Sequence, residues 1–376
     1  MTDGPIYDSP ARAWVDVDLT ALVANARRLA ARARVPLLPM VKADGYGLGA
    51  IEVARALRGA GASLPLVALG VAAVAEAEAL RAAGVHGPIA CFSPLWGDDL
   101  SRARSAGVIP SLGDADAVAS WVGQGGGAWQ LSIDTGMSRA GASATTLLAD
   151  GASLATLRAA CTAHPPASVY THFHSADDAP PHVAQQEARF RAVVDALGLD
   201  PAIPRHCDNS AGILMRDGSP WTWVRPGVAL YGVTQGMAAT LDPVAHLRAR
   251  VVDLRWVEPG DSVSYGATWR ATTRARIATL ALGYADGYRR HLSNAGLALL
   301  NAHRAPVVGR VTMDLTMLDV TQVPCALGDI ATVLGSADGG CLSADEVATL
   351  GGLSPYELLT GLHARAPRRY SGRVDA

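Results

Sequence analysis

The segment PLLPMVKADGYG, residues 36–47, joins a short apolar run to a lysine and a turn that contains glycines. Similar apolar runs recur as far as residue 232, and most are followed by an Ala- and Leu-rich segment of helical length. This alternation is typical of repeated βα units. We predict eight strands, at residues 36–41, 64–70, 88–92, 108–112, 129–134, 168–173, 203–207 and 223–231. Crossover helices are predicted at 49–58, 71–83, 115–122, 144–163 and 182–197.

Eight such units in fewer than about 250 residues predict an α/β fold of the (β/α)8 TIM-like barrel type. An open dinucleotide-binding sheet is disfavoured, because no Gly-x-Gly-x-x-Gly motif follows an early strand. After residue 242 the apolar runs become shorter and richer in β-branched residues, which predicts a mainly β C-terminal domain. We therefore expect a barrel at 1–242 and a β domain at 243–376, with residues 14–18 as a candidate strand pairing with the second domain.

The composition narrows the class of protein and its partners. The chain has 376 residues and a formal charge of −2, so nucleic acid is not an expected partner. Residues 1–10 lack the apolar core of a signal peptide, and the longest apolar stretch is interrupted by Pro65, so we predict no membrane span. The five cysteines are scattered and form no C-x-x-C motif, which indicates reduced thiols. Together these features predict a cytoplasmic protein.

Lysine usage singles out one residue. Of the 32 Lys and Arg residues only Lys42 is a lysine, and it stands directly after an apolar run. An ammonium group at that depth loses solvation or has a lowered pKa, which is what an imine-forming lysine needs. A snorkelling or ion-paired lysine is the alternative, but arginine serves equally well in an ion pair. We therefore predict that Lys42 reacts with a carbonyl compound.

Other polar residues follow later strands, where barrel enzymes place their active sites. Asn209 and Ser210 at a helix start, with Gly227 and Val228 near a strand end, offer a hydroxyl and backbone N–H groups to a phosphate, although an ordinary N-cap is the alternative. His172 is predicted to lie beside a cofactor in the barrel mouth, unless it is a core histidine. A metal site is the other interpretation of this segment, with His172 and His174 as ligands and Asp177, Asp178 and His182 nearby. No second His-rich element has matching ligand spacing, so we predict no metal.

A set of motifs in consistent order resembles the alanine racemase family, whose members are barrel enzymes that use pyridoxal 5′-phosphate (PLP). The resemblance runs from Trp14 to Tyr370 and covers nearly the whole chain. The motifs are VKADGYG (41–47), DTGMSR (134–139), THF (171–173), NS (209–210), RPGVALYG (225–232), VSYGAT (263–268), GYADGY (283–288) and GRVTMD (309–314).

The resemblance implies two bases on opposite faces of the cofactor. Lys42 would be both the Schiff-base lysine and the base on one face, and Tyr265 the base on the other. In this family the tyrosine reaches into the active site of the partner subunit, so the resemblance also implies a homodimer. Inversion of an amino acid follows, because one base removes the α-proton and the other returns a proton to the opposite face.

The resemblance assigns the remaining site residues as well. The phosphate-binding positions would be Tyr46, Ser210, Gly227, Val228 and Tyr370. Arg225 would face the pyridine nitrogen with His206 behind it, Arg139 and the backbone of Met313 would hold the substrate carboxylate, and Tyr284 would narrow the entrance. The implied substrate is alanine, and the implied role is supply of D-alanine for bacterial peptidoglycan.

Some questions stay open at the level of sequence. Many family members carry a modified lysine two residues before the aspartate of the DTGMSR motif, and Ser132 stands there in this chain. Either a bound anion or a different hydrogen bond would then hold Arg139. A serine or broad-specificity racemase of the same family, a PLP barrel decarboxylase and a non-enzymatic PLP carrier are the alternative functions. We assign no function to residues 342–362.

Overall fold

The computed structural model describes residues 11–178 and 180–372. The predicted absence of a signal peptide concerns residues 1–10, which lie outside that range. None of the helices in the described part of the chain has both the length and the apolar character needed to cross a bilayer.

The strands and helices alternate in the first part of the chain and give way to strands in the second. The strands are β1 (Ala13–Asp18), β2 (Leu69–Val71), β3 (Ile89–Cys91), β4 (Val108–Leu112), β5 (Gln130–Asp134), β6 (Ala142–Ser143), β7 (Ser168–Tyr170), β8 (Arg205–His206), β9 (Ala245–Val257), β10 (Ser262–Val263), β11 (Trp269–Arg270), β12 (Ala275–Leu280), β13 (Leu297–Leu300), β14 (His303–Pro306), β15 (Thr316–Asp319), β16 (Ile330–Ala337), β17 (Gly340–Leu342) and β18 (Arg368–Ser371). The α-helices are α1 (Leu19–Ala33), α2 (Lys42–Tyr46), α3 (Ala50–Gly59), α4 (Val74–Ala82), α5 (Asp99–Ser105), α6 (Ala115–Gly123), α7 (Ala144–Ala149), α8 (Gly151–Ala163), α9 (Pro180–Leu197), α10 (Ser210–Leu214), α11 (Ala344–Gly351) and α12 (Pro355–Thr360).

A parallel sheet forms the wall of the N-terminal barrel. Its order is β2-β3-β4-β5-β7-β8, and the short β6 pairs with β5. The segment before Lys42 closes the ring, because Leu37 bridges Leu66 on one side and Val224 on the other. The three residues of β2 and of β3 are all buried, as expected for parallel strands covered on both faces. The predicted barrel is therefore confirmed.

Caps and apolar spacing determine where the helices lie. Asp18 ends β1 and accepts a hydrogen bond from the Ala21 backbone N–H, so it begins α1 as an N-cap. Asp114 begins α6 in the same way through the N–H of Ala117. In α1 the buried residues recur at helical spacing and face the barrel: Leu19, Leu22, Val23, Ala26, Leu29 and Ala33.

The strand predicted at 36–41 is present only as isolated bridges at Leu37 and Met40. Two further predicted barrel elements differ from the structure. Residues 223–231 were predicted as a strand, but only Val224 forms a bridge, and Val228–Tyr231 is a 3-10 helix. Pro226 has no N–H for a ladder, and the Gly227 N–H donates to the Ser210 hydroxyl instead. The single helix predicted at 144–163 is divided into α7 and α8, because Asp150 is extended and caps α8 with its carboxylate.

The mainly β C-terminal part confirms the predicted fold class. Its largest sheet follows the order β14-β13-β16-β9-β1-β18, and β12 connects β9 to β15. The N-terminal strand β1 lies inside this sheet, antiparallel to β9 and parallel to β18, with Val17 opposite Tyr370. The boundary at 242 and 243 stays a prediction.

Candidate active site

A cavity of about 120 Å³ opens at the carboxyl ends of the barrel strands. Met40, Phe92, Tyr170 and Tyr356 line it together with nine of the residues predicted from sequence: Lys42, Tyr46, Arg139, His172, Asn209, Ser210, Arg225, Gly227 and Val228. None of these residues is an Asp or Glu, whereas one lysine and two arginines are among them. Within the described part of the chain, the cavity is therefore suited to an anionic ligand.

Lys42 begins a tight turn with an uncommon backbone. Ala43, Asp44 and Tyr46 all have positive φ, between 52° and 55°. Hydrogen bonds fix the turn, since the Ala43 N–H donates to Glu76 and the Asp44 carboxylate accepts from the Ala50 N–H. Positive φ at residues other than glycine strains the backbone and persists only where surrounding contacts hold it in place. Strain of this kind is common at functional sites.

The surroundings of Lys42 lower the pKa of its amine. Burial lowers its pKa, and the Arg139 and Arg225 guanidinium groups lower it further, while Glu76 acts in the opposite direction. The amine is therefore more readily unprotonated than that of a solvent-exposed lysine. An unprotonated amine can act as a nucleophile or as a base.

Ser210 and Gly227 form one corner of the cavity. The Ser210 hydroxyl accepts hydrogen bonds from the backbone N–H groups of Gly227, at 2.8 Å, and Ala229, at 3.2 Å. Asn209 caps α10 by accepting from the Gly212 N–H. A Cβ atom at position 227 would lie 2.4 Å from the Tyr46 hydroxyl, so only glycine leaves this space free.

Two neutral histidines accompany Arg225. Burial and the nearby cations, Arg225 first among them, lower the pKa of His172 to about 3. Burial and Arg225 also hold the pKa of His206 well below its usual value. His206 is therefore neutral, and its Nδ1 accepts a hydrogen bond of 2.8 Å from Arg225. The predicted place of His206 behind Arg225 agrees with this contact.

Arg139 reaches the cavity from a loop after β5. The Asp134 carboxylate accepts hydrogen bonds from the backbone N–H groups of Gly136, Ser138 and Arg139 and so fixes this loop. Ser132 borders a separate cavity with Ser111 and Ser120. Within residues 11–178 and 180–372, the hydrogen bond of Arg139 comes from its backbone N–H, and its guanidinium makes none.

Tyr265 and Met313 lie apart from this cavity in the same chain. Tyr265 is 72 % exposed and lines a groove of the C-terminal domain together with Val252, Ile277 and Leu315. Met313 is 52 % exposed, and its carbonyl accepts a hydrogen bond from Arg365. Within a single chain, these two residues are therefore not part of the cavity that contains Lys42.

Tyr370 is not among the residues that line the cavity. The sequence prediction placed it at the phosphate, but it lies in β18, outside the cavity wall, with its hydroxyl against Gly49. Tyr356 of α12 lies on the wall instead, with its ring 6.2 Å from that of Tyr46. Burial raises the pKa of Tyr356 to about 12, and its hydroxyl donates to Gln235 at 3.2 Å.

The histidines after β7 come close together without forming a ligand set. The rings of His174 and His182 are 5.4 Å apart. Nowhere in the described residues do three His, Cys, Asp or Glu side chains gather as potential metal ligands.

Comparison with known proteins agrees with both halves of this architecture. Residues 17–235 match the family described as "Alanine racemase, N-terminal domain", and residues 244–370 match "Alanine racemase, C-terminal domain". The chain belongs to the alanine racemase family. It is 38 % identical over 351 residues to the alanine racemase of Sorangium cellulosum, which covers 88 % of this chain and 90 % of that protein.

Solved alanine racemases share the fold over almost the full length. The enzyme from Streptomyces lavendulae is 31 % identical with a TM-score of 0.87, over 97 % of this chain and 98 % of that one. The enzyme from Bartonella henselae, solved with covalently bound pyridoxal phosphate, is 30 % identical with a TM-score of 0.84, over 96 % and 100 % of the two chains.

Proposed function

We propose that this alanine racemase family member is a PLP-dependent isomerase that interconverts L- and D-alanine, with Lys42 of one subunit and Tyr265 of another as the two bases. The observation that carries the proposal is the cavity that joins the only lysine of the chain to Arg139, Arg225 and the Ser210–Gly227 corner. The comparisons with alanine racemases support the reaction and the cofactor.

The residues of the cavity fit PLP. The Ser210 hydroxyl, the backbone of Gly227 and Val228 and the Tyr46 hydroxyl would hold its phosphate, with Tyr356 closing that side in place of Tyr370. Arg225 would face the pyridine nitrogen, and Asn209 and His172 would line the space beside it. When bound, PLP withdraws electrons from the α-carbon of the amino acid and so makes its proton easier to remove.

The two proposed bases act on opposite faces of the α-carbon. The Lys42 amine takes or returns the proton on one face, and the Tyr265 hydroxyl does so on the other. The residue that removes the proton when L-alanine is the substrate returns the proton when D-alanine is the substrate, so the same two residues serve both directions of the reaction. Because the bases approach from opposite sides, each turnover inverts the configuration.

A homodimer supplies the second base. Tyr265 lies in a groove beside exposed apolar side chains of the C-terminal domain, including Val252 and Leu315. An exposed apolar face of this kind marks an interaction surface. A second copy of the chain docked there would cover the apolar face. Tyr265 of the first copy would then lie beside Lys42 of the second copy.

Arg139 and the Met313 backbone would hold the substrate carboxylate. Arg139 projects its charge into the cavity. Arg365 fixes the Met313 loop, since it donates to the Met313 carbonyl and pairs with Asp286 and Asp314. A carboxylate held at both points keeps the α-proton between the two bases.

Replacing Arg139 with Gln should alter substrate binding and cofactor loading in separate measurements. Loss of a charged hydrogen bond raises the KM for alanine by about tenfold or more. Because the Arg139 cation lowers the pKa of Lys42, after the larger effect of burial, its removal raises that pKa. The pH dependence of the rate at which apoprotein takes up PLP should then move to higher pH. Arg34→Gln, at an exposed ion pair, is the control; an unchanged KM and pH profile in Arg139→Gln would contradict the assignment.

The test of the function is α-proton exchange with inversion. Purified protein with PLP is incubated with L-alanine in D2O, followed by proton NMR and chiral analysis. Loss of the α-proton signal with accumulation of D-alanine is the expected result. Exchange of serine alone would contradict the alanine assignment, and release of carbon dioxide or the absence of any exchange would contradict a racemase.

The physiological part of the proposal is D-alanine supply for bacterial peptidoglycan from the cytoplasm. All five cysteines are free, as expected in a reducing compartment. Expression should restore growth of a D-alanine auxotroph without added D-alanine, and Lys42→Arg should not. If neither the wild-type protein nor Lys42→Arg restored growth, the proposed role would be contradicted.

A further inference from the structure

Arg225 is a buried cation without a carboxylate partner. It is 3 % exposed, and none of the described acidic residues forms an ion pair with it. Its Nη atoms donate to the His206 ring and to the backbone carbonyls of Thr171, His206 and Cys207. Burial of an unpaired guanidinium is costly, so something else must stabilise it.

The face of the guanidinium rests on aromatic rings. Arg225 Cζ lies 5.0 Å from the ring centroid of Tyr170 and 5.8 Å from that of Phe92. The Tyr170 ring also stacks on His206 at 5.1 Å and meets Phe92 edge-on at 5.2 Å. A cation over the negative face of such a ring is attracted to it, and the attraction is strongest where water is excluded.

Ser111 holds the far end of Tyr170. Its Oγ lies 3.0 Å from the Tyr170 hydroxyl, 3.0 Å from Gln130 Nε2 and 2.6 Å from the Cys91 carbonyl, and the contacts are buried. A carbonyl only accepts, so the single Ser111 proton goes to Cys91. The Ser111 oxygen then accepts from Gln130 and from Tyr170, which uses its full hydrogen-bonding capacity.

We propose that Ser111 is a positioning residue for Arg225, acting through Tyr170. The hydrogen bond between the Tyr170 and Ser111 hydroxyls fixes the tilt of the ring on which the guanidinium lies. In this bond the Tyr170 hydroxyl is the donor. A donating phenol is polarised toward its ring, which strengthens the attraction for the cation. The inference rests on the proposed place of Arg225 at the cofactor ring. The hydroxyl of Ser111 would thus keep Arg225 aligned with PLP without touching it.

An isosteric pair of variants at one position tests this role. Ser111 borders the second cavity, so an added methyl group has room. Ser111→Thr keeps the hydroxyl, and Ser111→Val has the same shape without it. Ser111→Val should lower kcat about fivefold, the equivalent of one hydrogen bond, with KM unchanged. It should also shift the pH dependence of the visible absorption of bound PLP. Ser111→Thr should match the wild type in both measurements.

Additional variants separate positioning from general destabilisation. Tyr170→Phe should reproduce the kcat and the absorption of Ser111→Val, and the double variant should be no worse than either in these two readouts, because the inference makes both depend on the one bond between Tyr170 and Ser111. Tyr170→Phe also carries the test if Ser111→Val does not fold. Thr316→Val removes a buried hydroxyl that donates to the Leu282 carbonyl in the C-terminal domain, and it should lower the melting temperature without changing the absorption.

The possible outcomes are distinct. A wild-type kcat and absorption profile in both Ser111→Val and Tyr170→Phe would overturn the inference. Changes of kcat and of the absorption profile in Thr316→Val equal to those in Ser111→Val would also overturn the inference, because they would mean a merely structural effect. If Lys42→Arg retains full activity in the same assays, the proposed function fails instead.

Discussion

Lys42→Arg should abolish racemisation and leave the protein without covalently attached cofactor. Arginine keeps the positive charge and much of the length of the side chain, but a guanidinium neither reacts with PLP nor accepts a proton near neutral pH. Loss of the nucleophile should lower kcat by at least about 10³-fold. Because Lys42 is the only lysine, borohydride reduction of the loaded protein should add a single phosphopyridoxyl group, read by intact mass, and the variant should show none apart from any at the N-terminal amine.

A relocated lysine provides the control for this experiment. Arg34 is an exposed residue paired with Asp217, so Arg34→Lys adds a surface lysine far from the cavity. In the Lys42→Arg background this second change should restore neither the adduct nor the activity. A full adduct or measurable racemisation in Lys42→Arg would contradict the role of Lys42.

Tyr265→Phe should stop racemisation but leave exchange at one face of the substrate. A missing general base costs about 10²- to 10⁴-fold in rate. Lys42 still faces one side of the α-carbon, so deuterium from D2O should enter one enantiomer of alanine and not the other. PLP should stay bound, because Tyr265 is not among the residues assigned to hold the cofactor.

The measurement is proton NMR in D2O with L-alanine and D-alanine supplied separately. Tyr288→Phe is a matched control, because the buried Tyr288 hydroxyl has no hydrogen-bond partner among the described residues. That variant should racemise alanine as the wild type does. Exchange of both enantiomers at equal rates by Tyr265→Phe would show that Tyr265 is not the second base.

Strand ends explain why much of the site was predictable. Lys42, His172 and Ser210 each follow an apolar run, and the carboxyl ends of barrel strands meet at one mouth. Phe92 directly follows β3, and Tyr170 is the last residue of β7. Both line the cavity, so the position at a strand end would have predicted these two residues as well. The barrel itself followed from counting runs and intervening helices.

Long-range packing explains what the sequence did not predict. Tyr356 reaches the cavity because α12 packs near α2, which carries Tyr46, more than 300 residues earlier in the chain. No local pattern marks such a contact. Tyr370 matched the motif order of the family, but its pairing with Val17 keeps it in the C-terminal sheet. The predicted strand after Trp223 failed because Pro226 and the Ser210 hydroxyl replace the ladder with a turn.

The most direct test of a site shared between subunits is to mix the two inactive variants. In a heterodimer of Lys42→Arg and Tyr265→Phe, one site combines the intact Lys42 with the intact Tyr265 of the other subunit, and the second site has neither. Random exchange between subunits, verified by native mass spectrometry, should therefore restore about a quarter of wild-type activity. Verified heterodimers with no activity above that of the separate variants would contradict the two-subunit site.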